Sequence, residues 1–441
     1  MQRDPSVLRM ASPLVISFWM RAAVTMVDTV YAALLGDAAV AAIGVVVPLE
    51  FLMIAVWVGL STGLTSGLSR AMGAGEGVRY QQYLSITWKA IAVVAPAFTL
   101  IGAAIWLIAP HIGLDAAVAD GLKIYGTVLV VGSAFTTFWS IVPDSQVKAH
   151  QDTQSTMWAG IWTNGINVAL NTLFLFAFHW GLFGIALSTV IARLGGLVYA
   201  VFKARQHEAI RLRDRLTPGT EPDPEAARTV LGLALPSSLT FALMALETAA
   251  VNGLLARREY ATESIAAYSI YYRMVLFALQ PVIAFAVALL PFSAKRFGEG
   301  NVAGVLQGLR QTIVAAAAYS VFFVAPVMWW SAPWIADQLA ESPQTAQFAI
   351  FSLRTVPLAC LLGAVFLLCR PIFEARGEGR PGLIMAVLRY GVLMMPLAWL
   401  GMRAADRLGR APIDGLVVGL LIASAISSLA FYGWLQRTLR T

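Results

Sequence analysis

The chain has 441 residues and a formal net charge of +7, with 59% of its residues apolar and only 12% charged, whereas soluble domains run near half apolar and a quarter charged. That composition excludes a surface solvated mainly by water. Lys and Arg scattered singly over short segments also exclude a basic, aromatic-studded nucleic-acid groove, so the positive charge reads as topogenic.

Crossing a hydrocarbon core of about 30 Å takes about 20 apolar residues. Such stretches recur along the whole chain, leaving nothing over for a sizeable soluble domain. Apolar length and Gly, Pro and charge punctuation predict helices near 10–36, 39–70, 83–109, 121–147, 153–178 and 181–204. The first follows a short charged leader but continues through Asp28 to Gly36 without an A-x-A-like cleavage site, so it is expected to stay in the mature protein. The stretch RQHEAIRLRDRLTPGTEPD, Arg205 to Asp223, is the one long polar segment and has a linker's composition. Six further helices are predicted near 227–256, 262–295, 302–337, 345–375, 381–404 and 412–436. The predicted fold class is all-α integral membrane, with twelve transmembrane helices in two pseudo-symmetric six-helix lobes. The expected division is an N-terminal lobe at 1–204, a linker at 205–226 and a C-terminal lobe at 227–441.

The halves match at a shift of about 225 residues. Ala41–Glu76 aligns without gaps on Ala266–Asn301, so that SRAMGAGE (Ser69–Glu76) meets AKRFGEGN (Ala294–Asn301), each read as a basic residue followed by a Gly-x-Gly turn. Pro13 meets Pro236, and KAHQD (Lys148–Asp152) meets EARGE (Glu374–Glu378). An even number of helices per half makes the repeats parallel, related by an axis along the membrane normal. With the N-terminus inside, the inner segments carry seventeen Lys and Arg against five outside, which predicts both termini cytoplasmic. Trp180, Trp329, Trp330 and Trp334 near the predicted outer edges suit an interfacial belt.

No G-x-x-x-x-G-K-[ST] motif is present, so ATP is not the expected energy source and an ion gradient is. GEGRPG at Gly377–Gly382 follows a hydrophobic helix rather than a strand and is not read as a dinucleotide site. His111, His150, His179 and His207 are scattered without metal-ligand spacing, and Cys360 and Cys369 fall on opposite faces of one predicted helix, too far apart to bridge. No cofactor, metal centre or enzymatic activity is expected.

Ionisable and polar groups at membrane depth are the informative ones, because burying them in hydrocarbon is costly. Asp28 of helix 1, Asn171 of helix 5 and Thr189 of helix 6 fall at one depth, with Asn167 one turn further in and Asn164 on the same face. A carboxylate, amide carbonyls and a hydroxyl form a hard oxygen set suited to Na⁺ or, through Asp28 alone, to a proton; the same groups can also simply join helices by hydrogen bonds. Arg21 lies nearly on the Asp28 face, where it can meet an anionic substrate group or pair with Asp28 or Glu50. Glu247 and Arg273 fall at similar depths and are expected to pair or to touch substrate, while Arg193, Arg354 and Arg389 have no partner that the sequence names.

The run PLVISFWMRAAVTMVDTVYAALLGDAAVAAIG, the basic Gly-x-Gly segments after helices 2 and 8, the asparagines of helix 5 and the ALP opening of helix 7 resemble the multidrug and toxic compound extrusion (MATE) family, nearest its DinF-like bacterial branch. The resemblance covers nearly the whole chain and implies a V-shaped, two-lobed antiporter of the bacterial inner membrane. It implies a cation or proton site at Asp28, Asn167, Asn171 and Thr189, a helix 1 bend at Pro13, and export of small amphipathic organic compounds in exchange for H⁺ or Na⁺. Asn171 stands where several relatives carry a second Asp, which implies weak Na⁺ binding or proton coupling. Expected partners are an organic small molecule and the lipid bilayer, without ATP or nucleic acid, and action as a monomer is expected. A lipid-linked saccharide flippase of the same superfamily, which would use the intramembrane arginines for phosphate, and a membrane-embedded enzyme are the alternatives.

Overall fold

The computed structural model describes residues 6–213, 224–257 and 260–440, with the side chains of 23–29, 212, 213 and 245 outside that description. The side chain of Asp28 and residues 214–223 of the stretch read as a linker therefore lie outside the described residues.

Among the described residues every regular element is helical. The first half forms α1 (Val7–Leu34), α2 (Asp37–Ala74), α3 (Gly77–Ile108), α4 (Ala116–Ala149), α5 (Thr153–Thr172) and α6 (Gly181–Arg213). The second forms α7 (Ala226–Leu255), α8 (Ala261–Gly298), α9 (Val302–Leu339), α10 (Val356–Arg376, preceded by a shorter helix at Pro343–Arg354), α11 (Arg380–Arg407) and α12 (Pro412–Arg440). Ten of the described helices are long and apolar enough to cross a membrane, and α1 and α5 bring the count to a number that fits twelve. π-helical segments continue α5 (Leu173–Ala177) and interrupt α9 (Ser320–Val324) and α11 (Val387–Leu393), a device frequent at functional sites.

Three local expectations change. α6 does not stop near residue 204 but runs to Arg213, and His207, Glu208 and Arg211 of this stretch find partners on the lobe's end. Arg211 is buried, pairs with Glu208 and lies 4.3 Å from the Tyr80 ring of α3. The single helix expected over 345–375 is broken at Thr355. Pro357 lacks the N–H that would continue the ladder, and Ser320 Oγ of α9 donates to its carbonyl at 2.6 Å. The Gly-x-Gly segments are not wholly turns either. Only Gly75 and Gly300, each at φ 73°, turn the chain, whereas Gly73 and Gly298 remain inside α2 and α8.

The first helix of each half starts in the opposite lobe. Val7, Met10, Ala11 and Leu14 of α1 belong to the core built from α8–α12, and Ala226, Val230 and Ala234 of α7 belong to the core of α2–α4. Small residues permit both crossings. A Cβ on Gly59 or Gly63 of α2 would collide with the backbone carbonyls of Ala234 and Val230. Their counterparts 225 residues on, Ala284 and Ala288 of α8, are fully buried in the core that receives α1.

The two lobes are closed on the side of the chain termini. There α2 and α8 cross with a reciprocity that follows the repeat: a Cβ on Gly73 would strike the carbonyl of Lys295, and a Cβ on Gly298 would strike the carbonyl of Arg70. Around this crossing Ser66 Oγ donates to the Glu374 carbonyl at 2.6 Å and Arg70 Nη1 to the Arg376 carbonyl at 3.0 Å. The repeated pentapeptide carries an ion pair of opposite sense in each lobe. Lys148 Nζ lies 2.5 Å from Asp144 Oδ2, and Arg370 Nε lies 2.7 Å from Glu374 Oε1, both at i,i+4 spacing.

Candidate functional site

The oxygen-bearing residues of α5 and α6 form one buried network. Asn167 Nδ2 donates to Thr189 Oγ1 at 3.2 Å, and Asn171 Nδ2 donates to Asn167 Oδ1 at 3.2 Å. Ser188 Oγ donates to Asn171 Oδ1, and the Ser188 and Thr189 hydroxyls also reach the Ile185 carbonyl. Asn167, Asn171 and Ser188 are buried, whereas Asn164 is only partly buried and lies outside the network. The i,i+4 step from 167 to 171 stacks the two amides on one helical face, and Gly195 and Gly196 let α6 approach Ile166 and Thr163 of α5 closely. α1 is held to the same turn of α5: Tyr31 Oη and Thr172 Oγ1 share a 2.8 Å hydrogen bond. Tyr31 stands one turn after Asp28 and Thr172 next to Asn171, so the bond ties this part of α1 to the end of α5 that carries the network. The network thus joins Asn167, Asn171 and Thr189, three of the residues that the sequence singles out, with Ser188. Only its adjacency to Thr189 could have marked Ser188, because serine is common in helix contacts.

Arg21, Glu50 and Arg193 gather on the inner faces of α1, α2 and α6. Glu50 accepts from Arg193 Nη2 at 3.2 Å, and Arg193 also donates to Ser133 Oγ of α4. The sequence alone names no partner for Arg193. Arg21 is exposed yet crowded by protein and feels both Arg193 and Glu50, as expected of a side chain on an internal cleft. Pro13 lies inside α1, in the segment lodged against the second lobe.

The expected Glu247–Arg273 pair is not formed among the described residues. The cation within electrostatic range of Glu247 is Arg389 of the π-helical segment of α11. Arg389 Nη2 donates to Ser424 Oγ at 2.9 Å, and its guanidinium lies over the Phe366 and Tyr390 rings at 4.8 and 5.4 Å. Arg389 stands within the seven-residue π segment and reaches these partners from it.

A second polar cluster caps the termini side of the first lobe. Asp152 accepts from Ser155 N, Ser155 Oγ and His207 Nε2 at 2.6–2.9 Å, and His207 stacks on His150 with ring centroids 4.8 Å apart. Burial would raise the Asp152 carboxyl, but the hydrogen bonds from His207 and Ser155 win and hold it at about 2. Burial, aided by His207 and Arg211 and opposed by Glu208 and Asp152, pushes the His150 imidazole down to about 4. A histidine held below its ordinary 6.5 favours folding while neutral, so its contribution is present above about 6.5 and is lost as pH falls toward about 4. Acidifying the purified protein from about pH 7 to about pH 5 should therefore lower its melting temperature more in the wild type than in His150→Asn, which takes up no proton. Equal losses in the two proteins would remove His150 from that account.

Two repeated helical lobes with exchanged first helices, joined on the side of the termini and carrying buried polar networks, define a multi-pass integral membrane protein of transporter architecture. The chain belongs to the MatE family, whose family model matches it twice, over residues 13–173 and 236–400, one match per repeat. It is 24% identical over 263 residues to the multidrug export protein MepA of Staphylococcus haemolyticus (strain JCSC1435), which covers 59% of this chain and 55% of that protein. The chain thus matches about half the length of that relative. Over 434 residues, 96% of this chain and 91% of the relative, it is 22% identical to an FAD transporter of Shewanella oneidensis. Among solved structures it resembles a multidrug resistance MATE family transporter in an outward-facing conformation, with TM-score 0.87, 21% identity, and coverage of 98% of this chain and 95% of that one. It also resembles a mutant form of the Vibrio cholerae MATE transporter VcmN, with TM-score 0.84, 23% identity and coverage of 98% and 96%. These homologues are transporters rather than enzymes.

Proposed function

We propose that the protein is a secondary antiporter that exports a small amphipathic organic compound in exchange for inward H⁺ or Na⁺, working as a monomer in the bacterial inner membrane with both termini cytoplasmic. The observation that carries this reading is the buried Asn167–Asn171–Ser188–Thr189 network beside the α1 turn of Asp28. A carboxylate added to those amide and hydroxyl oxygens gives a hard, singly charged site for H⁺ or weakly held Na⁺. Closure of the lobes on the termini side supports an outward-facing state, in which such a site loads from outside.

A proton moving down about 100 mV releases about 2.3 kcal/mol, and each pH unit adds about 1.4. That concentrates a neutral substrate roughly 50-fold per 100 mV, whereas for one-to-one exchange with a monovalent cation the electrical terms cancel and only the pH gradient drives export. A second reading concerns the substrate's charge: the Arg21 and Arg193 guanidiniums beside Glu50, together with the near full-length FAD-transporting relative, favour a substrate carrying a phosphate or carboxylate. Transport by purified protein in liposomes, with pH and Na⁺ gradients imposed separately and a cationic dye compared with a flavin nucleotide, tests both. Substrate movement should follow at least one gradient. Movement indifferent to both would sink the antiport reading, and preference for the cationic dye would sink the second.

A further inference from the structure

Arg310 of α9 is a solvent-exposed arginine with no hydrogen bond or ion pair among the described residues. It stands eight residues, or about 12 Å at the helical rise, from the start of α9 at Val302. The α9 rod is 38 residues long, about 57 Å, and overshoots a hydrocarbon core of about 30 Å by roughly 13 Å at each end. With α9 centred on the bilayer, Arg310 stands where hydrocarbon gives way to headgroups, on the side of the chain termini. An arginine at that level ordinarily snorkels into water or finds a phosphate.

Its surroundings are a groove rather than a convex helix face. α9 and α12 have no extensive packing against each other, and between them Leu306, Leu309, Arg310, Ile313, Val314, Tyr432 and Gln436 line a space of about 290 Å³. That is roughly the liquid volume of ten waters, which suits a polar headgroup and not a whole lipid. The polar members, Arg310, Gln436 and the Tyr432 hydroxyl, supply donors, and no carboxylate lines the groove. Toward the membrane centre the wall becomes apolar, with exposed Val314 above Ile313. Arg437 and Arg440 lie exposed at the adjoining end of α12, so the local charge is positive throughout.

We infer that this groove binds one anionic phospholipid of the termini-side leaflet, with Arg310 on the phosphate, Tyr432 and Gln436 on the headgroup, and an acyl chain along Ile313 and Val314. Aliphatic walls continuing away from the cation are what distinguish a lipid seat from a site for a free anion, and a groove opening sideways between two helices admits a ligand from the bilayer. The bound lipid fills a gap that the protein's own side chains leave between α9 and α12, both in the second lobe.

Native mass spectrometry of the full-length protein, titrated with phosphatidylglycerol or phosphatidylcholine in detergent, tests this. The wild type should hold one phosphatidylglycerol more tightly than Arg310→Gln by about five- to tenfold, with phosphatidylcholine affinity the same in both. Leu306→Trp, which fills the groove and leaves the charge in place, should weaken phosphatidylglycerol to a similar extent. Equal phosphatidylglycerol affinity in wild type and Arg310→Gln would overturn the site. A loss in Arg310→Gln with no loss in Leu306→Trp would also overturn it, by showing an exposed charge without a groove.

Discussion

Replacing Glu374 with alanine should destabilise the protein by about 3–5 kcal/mol, the usual cost of removing one partner from a buried ion pair. Glu374 and Arg370 are only 8% and 10% exposed in their side chains, so solvent screening does little to soften the loss. The carboxylate also accepts from Ser237 Oγ of α7 at 2.7 Å. The alanine variant therefore strands a guanidinium and a hydroxyl together at the point where α7, α10 and α2 meet. Glu374→Gln keeps the Ser237 bond and should lose less. A double change of Arg370 and Glu374 to leucine should recover most of the loss, because well-packed apolar residues often match a buried pair in stability. Thermal and denaturant unfolding of the purified variants checks the order, and a loss below about 1 kcal/mol for Glu374→Ala would mean that the pair is solvated in the folded protein.

The second large effect is expected at Asp28. Asp28→Asn preserves shape and hydrogen bonding while fixing a neutral side chain, so the protein should fold and retain substrate binding yet lose gradient-driven transport to background. Asn171→Asp, by adding charge to the network that joins Asn167, Ser188 and Thr189, should instead increase dependence on Na⁺. Transport by Asp28→Asn at normal rates under an imposed pH gradient would exclude the coupling role and leave the α1, α5 and α6 contacts as helix packing alone.

The parts of this fold legible in the sequence are those that depend on one helix at a time. Spanning length, the i,i+4 amides of α5 and the repeat of about 225 residues are properties of spacing, and the helices follow them closely. What depends on a partner from elsewhere was not legible. Glu50 faces Arg193 across 143 positions, and the charge that Glu247 feels comes from Arg389, in the π segment of a helix far along the chain. Polar composition misled at 205–213, where a helix can keep its charges if it pairs them along its own face and another element supplies a ring. The Gly-x-Gly segments show the same limit. Sequence marks both glycines of each pair as turn formers, and only the neighbouring helix shows that the first of each pair serves close approach.

The crossing of Gly73 and Gly298 also has a bearing on how such a protein arises. Each glycine meets the carbonyl of the basic residue that stands three positions before the other, Lys295 and Arg70. Residue i thus meets j while the equivalent of j meets the equivalent of i. That reciprocity defines an isologous contact, the kind formed between identical subunits about a two-fold axis. The exchanged starts of α1 and α7 obey the same rule. A single six-helix unit bearing a basic residue three positions before a helical glycine already contains both sides of this seam. Two copies of it can close the crossing without a linker, and fusing them into one chain changes only the covalent connection between them. Once fused, each copy is free to diverge, as the reversed charges of Asp144–Lys148 and Arg370–Glu374 record.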